Sequence, residues 1–561
     1  MSRFKFSQAT VRAAALFAIA GFFSGMAAAQ CPNRPIPGTV LYDAPSLYSQ
    51  NGTLNAAFTM GHSVDSFGYT HYCYKYTSST GTVEAPTLRV NPGDTLLLNI
   101  TDDISNGPPQ SKSSMEMSMA SNMTAGPVCG DGGTATINST NVHFHGLNVS
   151  PNCGSDDVLT TLIQPSSPGF QYTIKIPADE PPGLYWYHPH VHGFTEFQVN
   201  GGDAGAIVVE GMEKFRPEVK GLTERVITIR QQFLVPWIPG PYQLTVNYQQ
   251  AAQLEGPAPT ILMKPGEKQF WRVLNATLQD FMPIQVQYAG VPQQLELIAL
   301  DGYPLAQVRN ETTILIPPAG RAEFIVKAPP PEGTAFLATE TYSTGPTGNP
   351  DTAQPLATIK LGSISNSNDA GNLASPSDKI VNGEAKLEAA KAVAKSGDSK
   401  PAAAGAKSTP LKFSDLKNAT PTTQRKLYFS EEFGGTNGPI QFYITVDGQK
   451  QQVFNPEEKP AITTKVGAVE DWTIENHALE THDFHIHQIH FLLLEQNGQP
   501  VANQDMRDTI EIPYWSGSGP YPSIKVRMDF RDPTTAGLFV FHCHILLHED
   551  LGMMHKIQVT Q

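Results

Sequence analysis

Twelve of the sixteen histidines in this 561-residue chain fall into four short runs, and none lies between His192 and His477. The runs are His143-Phe144-His145, His188-Pro189-His190-Val191-His192, His482-Asp483-Phe484-His485-Ile486-His487-Gln488-Ile489-His490, and His542-Cys543-His544 followed by His548 and Met553. On a β-strand, side chains at i and i+2 share a face. His143/His145, His188/His190, His485/His487 and His542/His544 can therefore each present two imidazoles to one side, and eight imidazoles can enclose several metal ions. Cys543 would point to the opposite face, where it could meet His482, His548 and Met553. Two imidazoles, a thiolate and a weak axial thioether form the ligand set of an electron-transfer copper. The five-residue step from His548 favours Met553 over its neighbour Met554 as the axial group.

The elements that must carry these residues read as strands. Thr95–Thr101, Tyr172–Ile176, Glu323–Val326 and Lys525–Phe530 are short alternating runs separated by Pro, Gly, Asn and Asp, and no long amphipathic helix is evident. The expectation is an all-β chain of sandwich domains. An internal repeat supports three copies. Gly93, Gly266 and Gly467 each open an alternating run, and Asp102, Asn275 and Asn476 follow nine residues later. Gly183-Leu-Tyr-Trp-Tyr-His188-Pro-His190 matches Gly537-Leu-Phe-Val-Phe-His542-Cys-His544, and the middle copy offers Gly333-Thr-Ala-Phe-Leu-Ala338-Thr-Glu340. There the ligand positions hold Ala338 and Glu340, so the middle copy is expected to have no copper role. By offset, Cys543, His548, Met553 and His482 correspond to Pro189, Phe194, Val199 and Thr140, so only the last copy can build the cysteine-containing site. The domains are expected at 30–212, 213–362 and 413–561, with 363–412 as a low-complexity linker too poor in apolar residues to pack.

The four runs resemble those of the multicopper oxidases, the laccase-like family, and the wording around Gln488-Ile489-His490 is closest to bacterial members. The resemblance covers nearly the whole mature chain and implies three cupredoxin-like Greek-key β-sandwich or barrel domains. It implies four copper ions. His482, Cys543, His548 and Met553 would hold the type 1 copper, and His143 and His485 the type 2. His145, His188, His190, His487, His542 and His544 would hold the type 3 pair. Cys543, bonded through the chain to His542 and His544, would carry electrons to the cluster where O₂ becomes water. Glu549 and Asp157 resemble the family's proton-relay acids, with Asp156 and Asp550 as neighbouring alternatives. Many relatives have Trp at Phe144 and Pro at Asp483; neither is a ligand, but Asp483 is expected to add a carboxylate near the electron-entry site. Phenols and aromatic amines are the first expectation for the reducing substrate, Cu(I) or another metal ion the second. A copper-storage protein without turnover is the alternative from a different class.

Arg3, Lys5 and Arg12, then the apolar stretch around Ala13–Phe23 and Ala27-Ala28-Ala29, read as a cleaved secretory signal over 1–29. Gln30 is a poor residue before a lipidated cysteine, which argues against an anchor at Cys31. Removing the three signal charges takes the net charge from −14 to about −17, which opposes nucleic acid as a partner. A periplasmic or secreted monomer without a membrane span is expected. Of five cysteines, Cys543 has the metal-site role. The others, Cys31, Cys73, Cys129 and Cys153, allow three pairings, with Cys129–Cys153 preferred because it closes a loop. Met115, Met117, Met119 and Met123 form a thioether-rich segment suited to Cu(I), and His62, His71, His192, His477, His490 and His555 are expected to support the site or lie at the surface.

Overall fold

Period-two burial is plain in the strand Thr95–Asp102, where Leu96, Leu98, Ile100 and Asp102 are buried and the residues between them are partly open. The computed structural model describes residues 30–64, 70–104, 129–130, 132–232, 243–251, 257–330, 334–362, 410–434 and 440–561. The expected signal, the methionine segment and nearly all of the linker lie outside them.

The strands form three pairs of facing sheets. In the first pair, one sheet orders Ser46–Tyr48, Thr87–Val90, Gly205–Val209, Gly183–His188 and His143–His145. Its partner orders Phe170–Lys175, Thr95–Asp102, Thr53–Val64, Thr70–Ser78 and Gly81–Glu84. The same plan recurs twice. The strands opened by the three turn glycines lie parallel to Thr53–Val64, Thr223–Gln232 and Thr423–Phe433 respectively. Gly183–His188, Ala335–Thr339 and Gly537–His542 each run antiparallel to the last strand of their own sandwich. The repeated acid or amide also has one job throughout. The side-chain oxygens of Asp102, Asn275 and Asn476 accept from the backbone N–H two residues on, turning the chain out of the strand.

Gly183–His188 departs from alternation, since every residue in it is buried. Tyr185 and Tyr187 fill the first sandwich's core. Leu184 and Trp186 pack on the other side against Val226, Leu274, Ala276 and Ala319 of the middle sandwich. A strand covered on both faces loses its polar positions, and here the second face is covered by another sandwich. The disulfides are Cys31–Cys73 and Cys129–Cys153, with Cα separations of 5.7 and 5.6 Å; Cys543 is free and buried. The preferred pairing is therefore present. Among the described residues no helix is long and apolar enough to cross a membrane.

Candidate metal centre

Strand register brings the first and last histidine runs together. His143 sits opposite His188 in the first sandwich, and His485 opposite His542 in the third. The two sandwiches then meet ring against ring. His143 stacks on His487 at 3.7 Å between centroids, and His145 on His485 at 3.9 Å. His542 Nε2 lies 3.2 Å from His487 Nε2 and 3.4 Å from His190 Nε2. All eight imidazoles are buried, and burial followed by their mutual repulsion holds His143, His190 and His487 well below the ordinary histidine pKa.

Backbone carbonyls set which nitrogen is free. A carbonyl can only accept, so Nδ1–H of His188 donates to Pro189 O at 2.8 Å, that of His542 to Cys543 O at 2.9 Å, and that of His485 to Asp508 O at 2.8 Å. His143 Nδ1 is taken by Asp156, 3.0 Å from both carboxylate oxygens. This leaves Nε2 of His143, His188 and His485, Nδ1 of His145 and both nitrogens of His544 buried without a hydrogen-bond partner. Buried lone pairs that converge without donors are costly in a protein interior. Metal ions would satisfy them, and in His143, His188 and His485 the bond at the opposite nitrogen orients the ring. The donor set fits copper.

Cys543 lies on the reverse face. Its Sγ is 3.6 Å from His482 Nδ1 and 3.9 Å from His548 Nδ1, and the two nitrogens are 3.3 Å apart. A point equidistant from the three lies about 2.1 Å from each, close to the ~2.0–2.3 Å bonds that imidazole and thiolate make to a first-row metal ion. Met553 shares the buried cluster that contains Cys543, whereas Met554 packs elsewhere, with Val158, Phe454 and Val540. Phe442 stacks on His548 at 4.0 Å and closes one side.

The four acids differ in their contacts. Asp157 is occupied by a turn, accepting from Leu159 N at 3.1 Å and Thr160 N at 3.0 Å. It is Asp156 that reaches His143, and it also accepts from Phe144 N at 3.0 Å and Gln488 Nε2 at 2.5 Å. Glu549 is fully buried, with oxygens 3.4 Å from His190 Nε2 and 3.2 Å from His542 Nδ1. Asp550 instead accepts from the N–H groups of Gly193, Thr195 and Glu196, capping the helix Thr195–Gly201 across the interface.

Asp483 does place a carboxylate beside the cysteine site. It is fully buried, accepts from His544 N at 2.7 Å and lies 3.3 Å from Cys543 Sγ; burial pushes its carboxyl up to about 7. It is an internal neighbour of the sulfur. The acids at the outer imidazole edges are Glu431, 3.2 Å from His482 Nε2, and Glu480, 3.9 Å from His548 Nε2. Sequence reasoning missed both. Glu480 is two residues before a ligand, but Glu431 reaches the site from a strand of the opposite sheet, which local spacing cannot reveal.

Comparison with known proteins agrees with this geometry. Family models described as multicopper oxidase match residues 135–214, 222–362 and 433–561. The multicopper oxidase of Staphylococcus epidermidis is 24% identical over 439 residues, spanning 75% of this chain and 77% of that protein. The laccase of Bacillus subtilis is 28% identical over 112 residues, 18% of this chain and 21% of that one. Among solved structures, the Campylobacter jejuni multicopper oxidase, described as a metallo-oxidase, has a TM-score of 0.63 at 22% identity, covering 94% of this chain and 96% of that one. A laccase-like multicopper oxidase from Ochrobactrum has a TM-score of 0.59 at 18% identity, covering 94% and 100%. With eight imidazoles converging at the interface of the outer sandwiches and a His–Cys–His set behind them, the chain belongs to the multicopper oxidase family.

Proposed function

We propose that this chain is an exported oxidase that couples four one-electron oxidations of a small donor to the reduction of O₂ to two water molecules. Four electrons and four protons balance that reaction. Of the sandwiches at 30–212, 213–362 and 413–561, the first and third would hold four copper ions as one type 1, one type 2 and a type 3 pair. The observation that carries the reading is covalent continuity. Cys543, within 4 Å of two imidazole nitrogens, is the chain neighbour of His542 and His544, both in the eight-histidine cluster. Bound copper would supply the one-electron redox chemistry that these side chains lack.

The chain's own residues supply the rest. His482, His548, Cys543 and Met553 would hold the electron-accepting ion in a dry, pre-shaped pocket. His143 and His485, and the six other imidazoles, would hold the cluster. Glu549 would supply protons, since its oxygens lie within 3.4 Å of His190 and His542 and burial pushes its carboxyl well above the ordinary range. Of the two adjacent acids in the first sandwich, the contacts support Asp156 over Asp157 as the group that orients His143.

Phenols and aromatic amines remain the first substrate class. A metal ion such as Cu(I) is favoured by one specific observation, the carboxylates of Glu431 and Glu480 at the outer edges of both type 1 imidazoles. O₂ uptake by copper-loaded protein, compared for a phenol, an aromatic amine, Cu(I) and Fe(II), decides between them. Glu431→Gln with Glu480→Gln should raise KM for metal ions at least tenfold and spare phenols; the reverse pattern rejects the metal-ion reading. Cys543→Ser should abolish the blue colour and turnover of every donor. Surviving turnover would overturn the proposed electron route.

A further inference from the structure

The middle sandwich has no ligands, yet it sends one charged side chain to the histidine cluster. Arg321 lies on the strand Arg321–Lys327 and is fully buried. Its guanidinium grips Asp508 of the third sandwich with both arms, Nη1 to Oδ1 at 2.7 Å and Nη2 to Oδ2 at 2.5 Å. Its Nε donates to Leu184 O of the first sandwich at 3.1 Å, so one side chain ties all three sandwiches. Asp508 faces the ligands. Its Oδ1 is 3.4 Å from His145 Nε2, and its backbone oxygen accepts from His485 Nδ1 at 2.8 Å. Thr509 Oγ1 donates to the same Oδ1 at 2.9 Å.

A fully buried ion pair is a poor way to gain stability, because desolvation offsets the attraction and an apolar pair of similar volume often serves as well. Planar, two-armed geometry is instead a device for orientation. The neighbouring residue is shaped to admit it. Gly146 follows the first histidine pair at φ +85°, and a Cβ there would lie 2.5 Å from Arg321 Nη2 and 2.6 Å from Asp508 Oδ2. His490, one of the histidines outside the ligand set, braces the same junction. Its Nε2 donates to Asp301 O at 2.8 Å, while the Asp301 carboxylate accepts from Arg321 N at 2.9 Å and Arg507 Nε at 2.5 Å.

We infer that Arg321 is a positioning residue for the histidine cluster. By holding Asp508, it fixes the rotation of His145 and His485, so that their free nitrogens, Nδ1 and Nε2, point into the centre. The inference rests on the reading that the cluster holds copper. It assigns the sandwich without ligands a direct part in shaping the site.

The test compares copper-loaded wild type, Arg321→Lys, and the charge-free pair Arg321→Met with Asp508→Asn. Three readouts are followed: copper per chain under a chelator titration, the type 2 and type 3 spectroscopic signatures, and the blue band as an internal control. Loss of an outer partner of this kind weakens metal binding by about 10–100-fold. The double variant should therefore lose cluster copper at a correspondingly lower chelator concentration while the blue band persists. Arg321→Lys keeps the charge but not the fork, and should alter the cluster signatures at full blue intensity. It also serves should the double variant fail to fold. Unchanged cluster signatures and retention in a folded variant would overturn the inference. A wild type that forms neither blue band nor cluster would instead reject the copper reading and take this inference with it.

Discussion

Gln488 offers a prediction whose sign depends on magnitudes. It directly follows His487 with φ of 62°, in the left-handed region, and is buried. A side chain in that region costs about 1–2 kcal/mol, so glycine would relieve roughly 1 kcal/mol of strain after its own entropy is counted. Against this stands the 2.5 Å hydrogen bond from Nε2 to Asp156 Oδ2. A buried bond to a charged group contributes about 1.5–3 kcal/mol, and two buried methylenes add about 1.5 kcal/mol. Gln488→Gly should therefore destabilise by about 2–3.5 kcal/mol, although it removes backbone strain. The assay is urea unfolding of the metal-free protein in a double-mutant cycle with Asp156→Asn. A coupling energy of about 1.5–3 kcal/mol is expected, and a weaker type 2 signal should follow on copper loading because Asp156 then holds His143 less firmly. Coupling under about 0.5 kcal/mol, or a net gain in stability, would refute the claim that the strained backbone is maintained to deliver this amide.

Other outcomes follow from the same structure. Glu549→Gln keeps the shape and removes the titratable carboxyl, so O₂ turnover should fall by about 10²–10⁴-fold while anaerobic bleaching of the blue band by substrate is unchanged; turnover within threefold of wild type would remove Glu549 from the proton path. Glu180 is buried, with Oε1 accepting from Asn148 N and Nδ2, and burial raises its carboxyl to about 8. A folded value above the unfolded one means the fold holds the extra proton, so stability declines as pH rises from about 4.3 toward 8. Glu180→Gln should flatten that slope, and parallel profiles for the two proteins would contradict it. Opening Cys129–Cys153 with two serines should cost about 3.4 kcal/mol, as a chain separation of 24 residues implies. Cys31–Cys73, separated by 42, should cost about 3.9 kcal/mol, so a melt that ranks the two bridges in the opposite order counts against the loop-closure account.

What could be read from the sequence divides by the range of the interaction. Paired histidines are legible because i and i+2 on a strand share a face whatever surrounds them, and the structure brings the four pairs His143/His145, His188/His190, His485/His487 and His542/His544 together. The repeated Asp102, Asn275 and Asn476 are legible for the same reason, since each acts on the residue two positions on. Asp156 was not distinguishable from Asp157, because a loop has no fixed side-chain period and only the turn made with Leu159 and Thr160 decides which acid is free. Asp483 reads only as an acid near the electron-entry site, and its burial by the strand Thr509–Ile512 and its bond from His544 N come from partners distant in sequence. The middle sandwich is the largest such case. Ala338 and Glu340 at the ligand positions exclude direct coordination, but ligand spacing says nothing about Arg321 meeting Asp508 across 187 residues. Though it has no ligands, that sandwich packs its outer face against the strand that ends at His188. From there a guanidinium can reach the partners of His145 and His485. A repeat without metal ligands can thus be part of the metal site through the residues that aim the ligands, and such residues have no motif of their own.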